Sequence, residues 1–178
     1  MADLTFQTFG LAKFDVASRT VSGLAVPYNA PTRPEHKLKL AFAVGSIKYP
    51  ERVKLTVNHD ANSVIGSSPD TMQLNAGTQG ITASATIPET TLGRDTIKLL
   101  EAGVLKGFSV ETNIDKSSIQ RHGDMLIAHN AHMHTVSIVT SPAFVNTEVE
   151  LFSFFDTLPD LGEIKEPAER RKGLWIFG

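Results

Sequence analysis

Short apolar runs separated by turn residues fill most of this chain, and one stretch, Pro88 to Gly103, changes to helical spacing. A strand repeats its pattern every two residues and a helix every 3.6, so the chain reads as many short strands with a helix between them. Arg52 to Val57 places Val53, Leu55 and Val57 on one face. Phe6 to Phe14, Thr20 to Val26, Leu105 to Ile114, Met125 to Ala128 and Thr135 to Val139 read as further strands. Met72 to Leu74 and Ile81 to Ile87 read as hairpin arms around Asn75-Ala76-Gly77, and Ser67-Ser68-Pro69-Asp70 as a turn. In the helical stretch Ile97, Leu100 and Val104 share a face, Thr90 or Thr91 is the expected cap, and Gly103 the expected stop. The fold class is therefore α+β, mainly β, with an antiparallel barrel or sandwich and helices outside it.

Bulk properties narrow the function. A length of 178 residues favours one domain, and 41% hydrophobic with 20% charged residues is ordinary for a globular protein. A net charge of -2 gives no basic footprint for nucleic acid, and no apolar run is long enough for a membrane span. Met1-Ala2-Asp3-Leu4 lacks a secretion-signal pattern, so a cytosolic protein is expected. The absence of cysteine excludes disulfides and thiol nucleophiles, and no glycine-rich phosphate loop is present, so no cofactor is expected. Glu148 to Phe155 is apolar and ambiguous; from Asp156 the chain turns polar. Residues 1–155 are read as one domain and 156–178 as a polar tail ending in the apolar Leu174-Trp175-Ile176-Phe177.

Two short signatures carry chemistry. Val57-Asn58-His59-Asp60 ends one strand-like run, and Gly107-Phe108-Ser109-Val110-Glu111 opens another. A serine hydroxyl is a weak nucleophile at neutral pH and needs a base such as imidazole to take its proton. Gly-x-Ser-x-Glu is close to the nucleophile elbow of α/β-hydrolases, but Glu111 stands where that turn needs glycine, and the chain continues as strand. Either residue alone is more often structural. A rival reading uses His129, His132 and His134, whose last two share a strand face, as zinc ligands of a metallohydrolase, with His59 or Asp60 added. A third is a non-enzymatic β-domain that acts as an assembly adaptor.

The order of the blocks is more specific than any one of them. Gly23-Leu24-Ala25-Val26-Pro27-Tyr28-Asn29, Phe42-Ala43-Val44-Gly45-Ser46-Ile47, the Asn58-His59-Asp60 block, Gly93-Arg94-Asp95, the Ser109 block, and Val136-Ser137-Ile138-Val139 with Pro142-Ala143 resemble the tailed-phage prohead proteases over about residues 10 to 150. The family is distantly similar to herpesvirus assemblins. The resemblance implies an antiparallel β-barrel surrounded by helices. It implies a serine endopeptidase that cleaves the scaffolding segment of the capsid protein, or a separate scaffold, and itself, inside the immature capsid in the host cytoplasm. Assemblin-like relatives suggest a homodimer. Ser109 matches the nucleophile and His59 the base. The third residue, glutamate in many phage members and histidine in assemblins, falls on Thr135, which carries no charge. His134 beside it is the expected substitute if a bulge re-aims it, giving a Ser-His dyad assisted by His134 or water. Assemblins use an arginine after this strand for the oxyanion. This chain has Ser141-Pro142-Ala143 there, so a backbone amide is expected instead.

Overall fold

The computed structural model describes residues 5–6, 13–31, 39–140 and 158–162. Its strands, in chain order, are β1 (Thr5–Phe6), β2 (Lys13–Asp15), β3 (Thr20–Pro27), β4 (Lys39–Phe42), β5 (Ile47–Lys48), β6 (Lys54–Val57), β7 (Asp60–Ser67), β8 (Met72–Ala76) and β9 (Gly80–Thr86). After the helix α1 (Thr91–Glu101) come β10 (Gly107–Ile114), β11 (Ile119–His122), β12 (Met125–Ala128) and β13 (Ala131–Val139). The chain is thus mainly β, with one α-helix among the described residues. No described helix is long and apolar enough to cross a membrane.

The described strands pair into three sheets. One runs β1-β10-β13-β6-β7 with β5 alongside β13, one β2-β3-β9-β8, and one β11-β12-β4. No closed ring is present among these pairings. The sheets are also not purely antiparallel: β4 with β12, β5 with β13, and β6 with β13 run parallel. These partners lie far apart in sequence, so no hairpin dictates their direction. One core lies beneath all three sheets, built from Val21, Phe42, Leu55, Met72, Ile81, Phe108, Leu126, Met133 and Ile138 among others.

The helix ends where local chemistry says it should. Thr90 caps α1, its Oγ1 accepting from Gly93 N–H at 3.0 Å. Gly103 takes φ +66°, a conformation that suits glycine, and lets Val104 N–H donate to Leu99 O at 2.8 Å and Gly103 N–H to Leu100 O at 3.0 Å. This Schellman closure turns the chain towards β10, the strand that carries Ser109. Gly93 has a second constraint, because a Cβ there would lie 2.0 Å from Pro88 O.

Strand β7 was not legible from alternation. It is an edge strand, and Asp60, Ala61 and Asn62 on it are exposed. The segment after residue 155 is not wholly detached. Leu158 packs against the core, Leu161 N–H donates to Arg121 O at 3.0 Å, and Asp160 accepts from Gly123 N–H at 3.1 Å. Glu148 to Phe155 and the apolar end at residues 174–178 lie outside the described residues.

Candidate active site

His59 sits in a two-residue loop. Val57 and Asp60 pair across the β6–β7 hairpin, and between them Asn58 and His59 take φ +50° and +58°. Two consecutive positive φ values mark the hairpin turn whose twist matches that of its strands. Asn and His are among the non-glycine residues that tolerate this region. Asn58 also anchors the loop: its N–H donates to Ile138 O at 2.9 Å, and its Oδ1 accepts from Thr140 N–H at 3.1 Å. Asp60 ties down the far side, accepting from Asn62 N–H and Ser63 Oγ. The Asn-His-Asp block therefore pins a histidine over the end of β13, in a backbone conformation of the kind that clusters at functional sites.

Beneath it runs a row of hydroxyls. Thr56 on β6, Ser137 on β13 and Ser109 on β10 are register partners across three adjacent strands. Paired residues present their side chains to the same face. All three are buried. His59 bridges the row, with Nε2 2.9 Å from Ser109 Oγ and Nδ1 3.2 Å from Ser137 Oγ. Ser137 Oγ in turn lies 2.6 Å from Thr56 Oγ1.

One row further along, Lys54, Thr135 and Glu111 are register partners on the same strands. Glu111 is two residues from Ser109 and so shares its face. Its Oε1 lies 3.3 Å from His59 Nδ1. Hydrogen bonding from His59 holds the Glu111 carboxyl below its ordinary value of 4.5. Burial opposes that shift, and the Thr135 hydroxyl and the neighbouring histidines add to it. Ser109, His59 and Glu111 thus form a chain of hydroxyl, imidazole and carboxylate. With Nδ1 protonated towards Glu111, Nε2 is left free to accept the serine proton.

From sequence, the third role is expected at His134, beside Thr135, and Glu111 stands out only as the residue that breaks the nucleophile elbow. A bulge does occur at His134: Glu111 pairs with Thr135 and Thr112 with Met133, so His134 is the extra residue of β13. The bulge turns His134 towards Glu111 rather than His59, with Nδ1 3.8 Å from Oε2 and 3.2 Å from Thr135 Oγ1. The signal that could have found Glu111 was its two-residue spacing from Ser109 on a strand.

His129 and His132 are exposed, and His132 pairs with Asn113 beyond the bulge. Among the described residues, no three His, Asp or Glu side chains converge as metal ligands would. The Ser141-Pro142-Ala143 segment, expected to bear on the oxyanion, lies outside the described residues.

The family model described as caudovirus prohead serine protease matches residues 11–158. The chain belongs to that family. It is thus a serine peptidase of the phage prohead kind. No curated protein and no solved structure matches it. In this prohead protease Thr135 is the cross-strand partner of Glu111. Directly opposed residues have Cβ atoms roughly 5 Å apart. A carboxylate from either strand can therefore reach the same imidazole nitrogen.

Proposed function

We propose that this prohead protease cleaves the scaffolding segment of the capsid protein or a separate scaffold, and itself, through a Ser109–His59–Glu111 triad. The observation that carries the reading is the 2.9 Å approach of Ser109 Oγ to His59 Nε2, with Glu111 Oε1 3.3 Å behind Nδ1. Ser109 Oγ attacks the scissile carbonyl carbon while Nε2 takes the hydroxyl proton. The resulting imidazolium lies against the Glu111 carboxylate, which stabilises it without taking its proton. The tetrahedral intermediate then expels the amine, which leaves with the proton from Nε2. Water repeats the sequence on the acyl-enzyme and restores Ser109.

Glu111 takes the place of the acid that relatives carry at the Thr135 position. Thr135 keeps a hydroxyl there, which holds the transposed carboxylate. His134 bears on the outer oxygen of Glu111, and the reaction is not routed through it. The enzyme acts within the procapsid in the host cell, and dimerisation would follow assemblin-like relatives. We read the three sheets as the wall of an assemblin-like barrel. In support, they share one core, and β3 packs against β10.

Co-expression with the capsid and scaffold proteins of the same phage tests the reading. Wild type should produce truncated capsid or scaffold fragments by mass spectrometry, and Ser109→Ala should leave both proteins full length. Processing by Ser109→Ala would overturn it.

A further inference from the structure

We propose that Ser137 and Thr56 form a positioning pair for the catalytic imidazole, a second holder of His59 Nδ1 that acts in parallel with Glu111. The proposal rests on the triad reading and deepens it. Nδ1 carries one hydrogen and meets two acceptors at nearly equal range, Ser137 Oγ at 3.2 Å and Glu111 Oε1 at 3.3 Å. The two approach from different strands. Ser137 comes from β13 directly beside Ser109, and Glu111 from one row further along β10.

Ser137 stands within an apolar run, Val136-Ser137-Ile138-Val139, and is fully buried. A hydroxyl there has to be paired, since an unpaired buried polar group is destabilising. Its partners are His59 and Thr56, the latter 2.6 Å away and itself buried. When Nδ1–H donates to Ser137 Oγ, the Ser137 hydrogen is free to go to Thr56 Oγ1. Thr56 thereby fixes the rotor of Ser137 and presents its lone pair to the ring. Because Ser137 and Ser109 are register partners, the strand pairing itself sets the span the imidazole bridges. Glu111 supplies charge, whereas the hydroxyl pair supplies orientation.

Two parallel holders make a testable signature. Ser137→Ala alone should lower kcat about 10-fold with KM little changed, because Glu111 still selects the tautomer. Glu111→Ala alone leaves Ser137 in place. The double variant should fall roughly 10-fold below the product of the two single losses, since no acceptor then remains for Nδ1–H. Ring nitrogen NMR gives a second readout. Nδ1–H should persist in each single variant and become a mixture of tautomers in the double variant. Thr56→Val should show the same non-additivity with Glu111→Ala, and Thr56→Ser should restore wild-type behaviour. The Thr56 variants also carry the test if Ser137→Ala fails to fold.

Losses that simply multiply, with Nδ1–H retained in the double variant, would overturn the pairing and leave Ser137 a packing residue. Inactivity of Ser109→Ala in the same assay separates the two levels. If Ser109→Ala is active the triad reading itself has failed, and if it is inactive while the losses multiply, the positioning pair alone has failed.

Discussion

Replacing Glu111 probes the triad at its most informative point. The carboxylate lies 3.3 Å from His59 Nδ1, and the two side chains are 24% and 15% exposed, so solvent screening is incomplete. At that distance and an effective dielectric of about 20, the attraction to an imidazolium is about 5 kcal/mol. Each ~1.4 kcal/mol is tenfold in rate, so losing the charge should slow acylation on the order of 10³- to 10⁴-fold. Glu111→Gln should be worse than Glu111→Ala. His134 Nδ1 lies towards the outer oxygen, 3.8 Å from Oε2, and favours an amide oxygen there. That turns the amide NH₂ towards His59, which then carries its proton on Nε2 and cannot accept from Ser109. Thr135→Glu placed in the Glu111→Ala background should recover about 10-fold or more, because the two positions are register partners. In the wild-type background the same substitution sets two carboxylates opposite each other and should destabilise. The assay is kcat/KM on a peptide spanning the mapped cut, with circular dichroism as a check on folding. Glu111→Gln within threefold of wild type would refute the carboxylate's role, and failure of Thr135→Glu to rescue would refute the argument from register.

Other consequences can be checked alongside. The folded-state pKa of Glu111 is depressed, so its contribution to stability is present above about pH 4.5 and is lost as pH falls through the lowered value; thermal melts of wild type and Glu111→Gln should differ at pH 7 and draw together as the pH is lowered below 4.5. Asn58→Ala places an alanine at φ +50° and removes the acceptor for Thr140 N–H, and should cost about 1–3 kcal/mol in denaturant unfolding; Asn58→Gly keeps the backbone freedom and should cost less. Cleavage should be insensitive to a strong chelator, and loss of activity that zinc restores would bring back the histidine-cluster reading.

Features set by neighbours in sequence were readable before the structure. The Thr90 cap and the Gly103 stop rest on contacts within a few residues and appear where expected. The hairpin also forms, but Asn75 and Ala76 extend β8 and pair with Thr82 and Ile81, so its turn falls two residues later, at residues 77–79. His59 and Ser109 stand out in the sequence because each lies in a compact block whose company is specific, and the fold brings them within 2.9 Å. What escaped depends on register between distant strands. Ser137 looked like one polar residue in an apolar strand, and its meaning appears only when β6, β13 and β10 align Thr56, Ser137 and Ser109. Glu111 escaped because the family resemblance points to β13 for the acid, whereas the carboxylate that approaches His59 Nδ1 stands on β10. A one-residue slip would turn each of these side chains to the other face. The parallel pairing of β6 with β13 likewise has no local signal, since no turn joins them.

Labelling with a fluorophosphonate tests the central claim most directly, because it reads serine activation without a known substrate. The phosphorus should form its bond to Ser109 Oγ with loss of fluoride, and peptide mapping should place the adduct on Ser109. Ser109→Ala should abolish labelling, and His59→Ala should slow it at least 10³-fold, as removal of the base from a triad does. An adduct on another residue, or labelling of Ser109 that is undiminished in His59→Ala, would contradict the account.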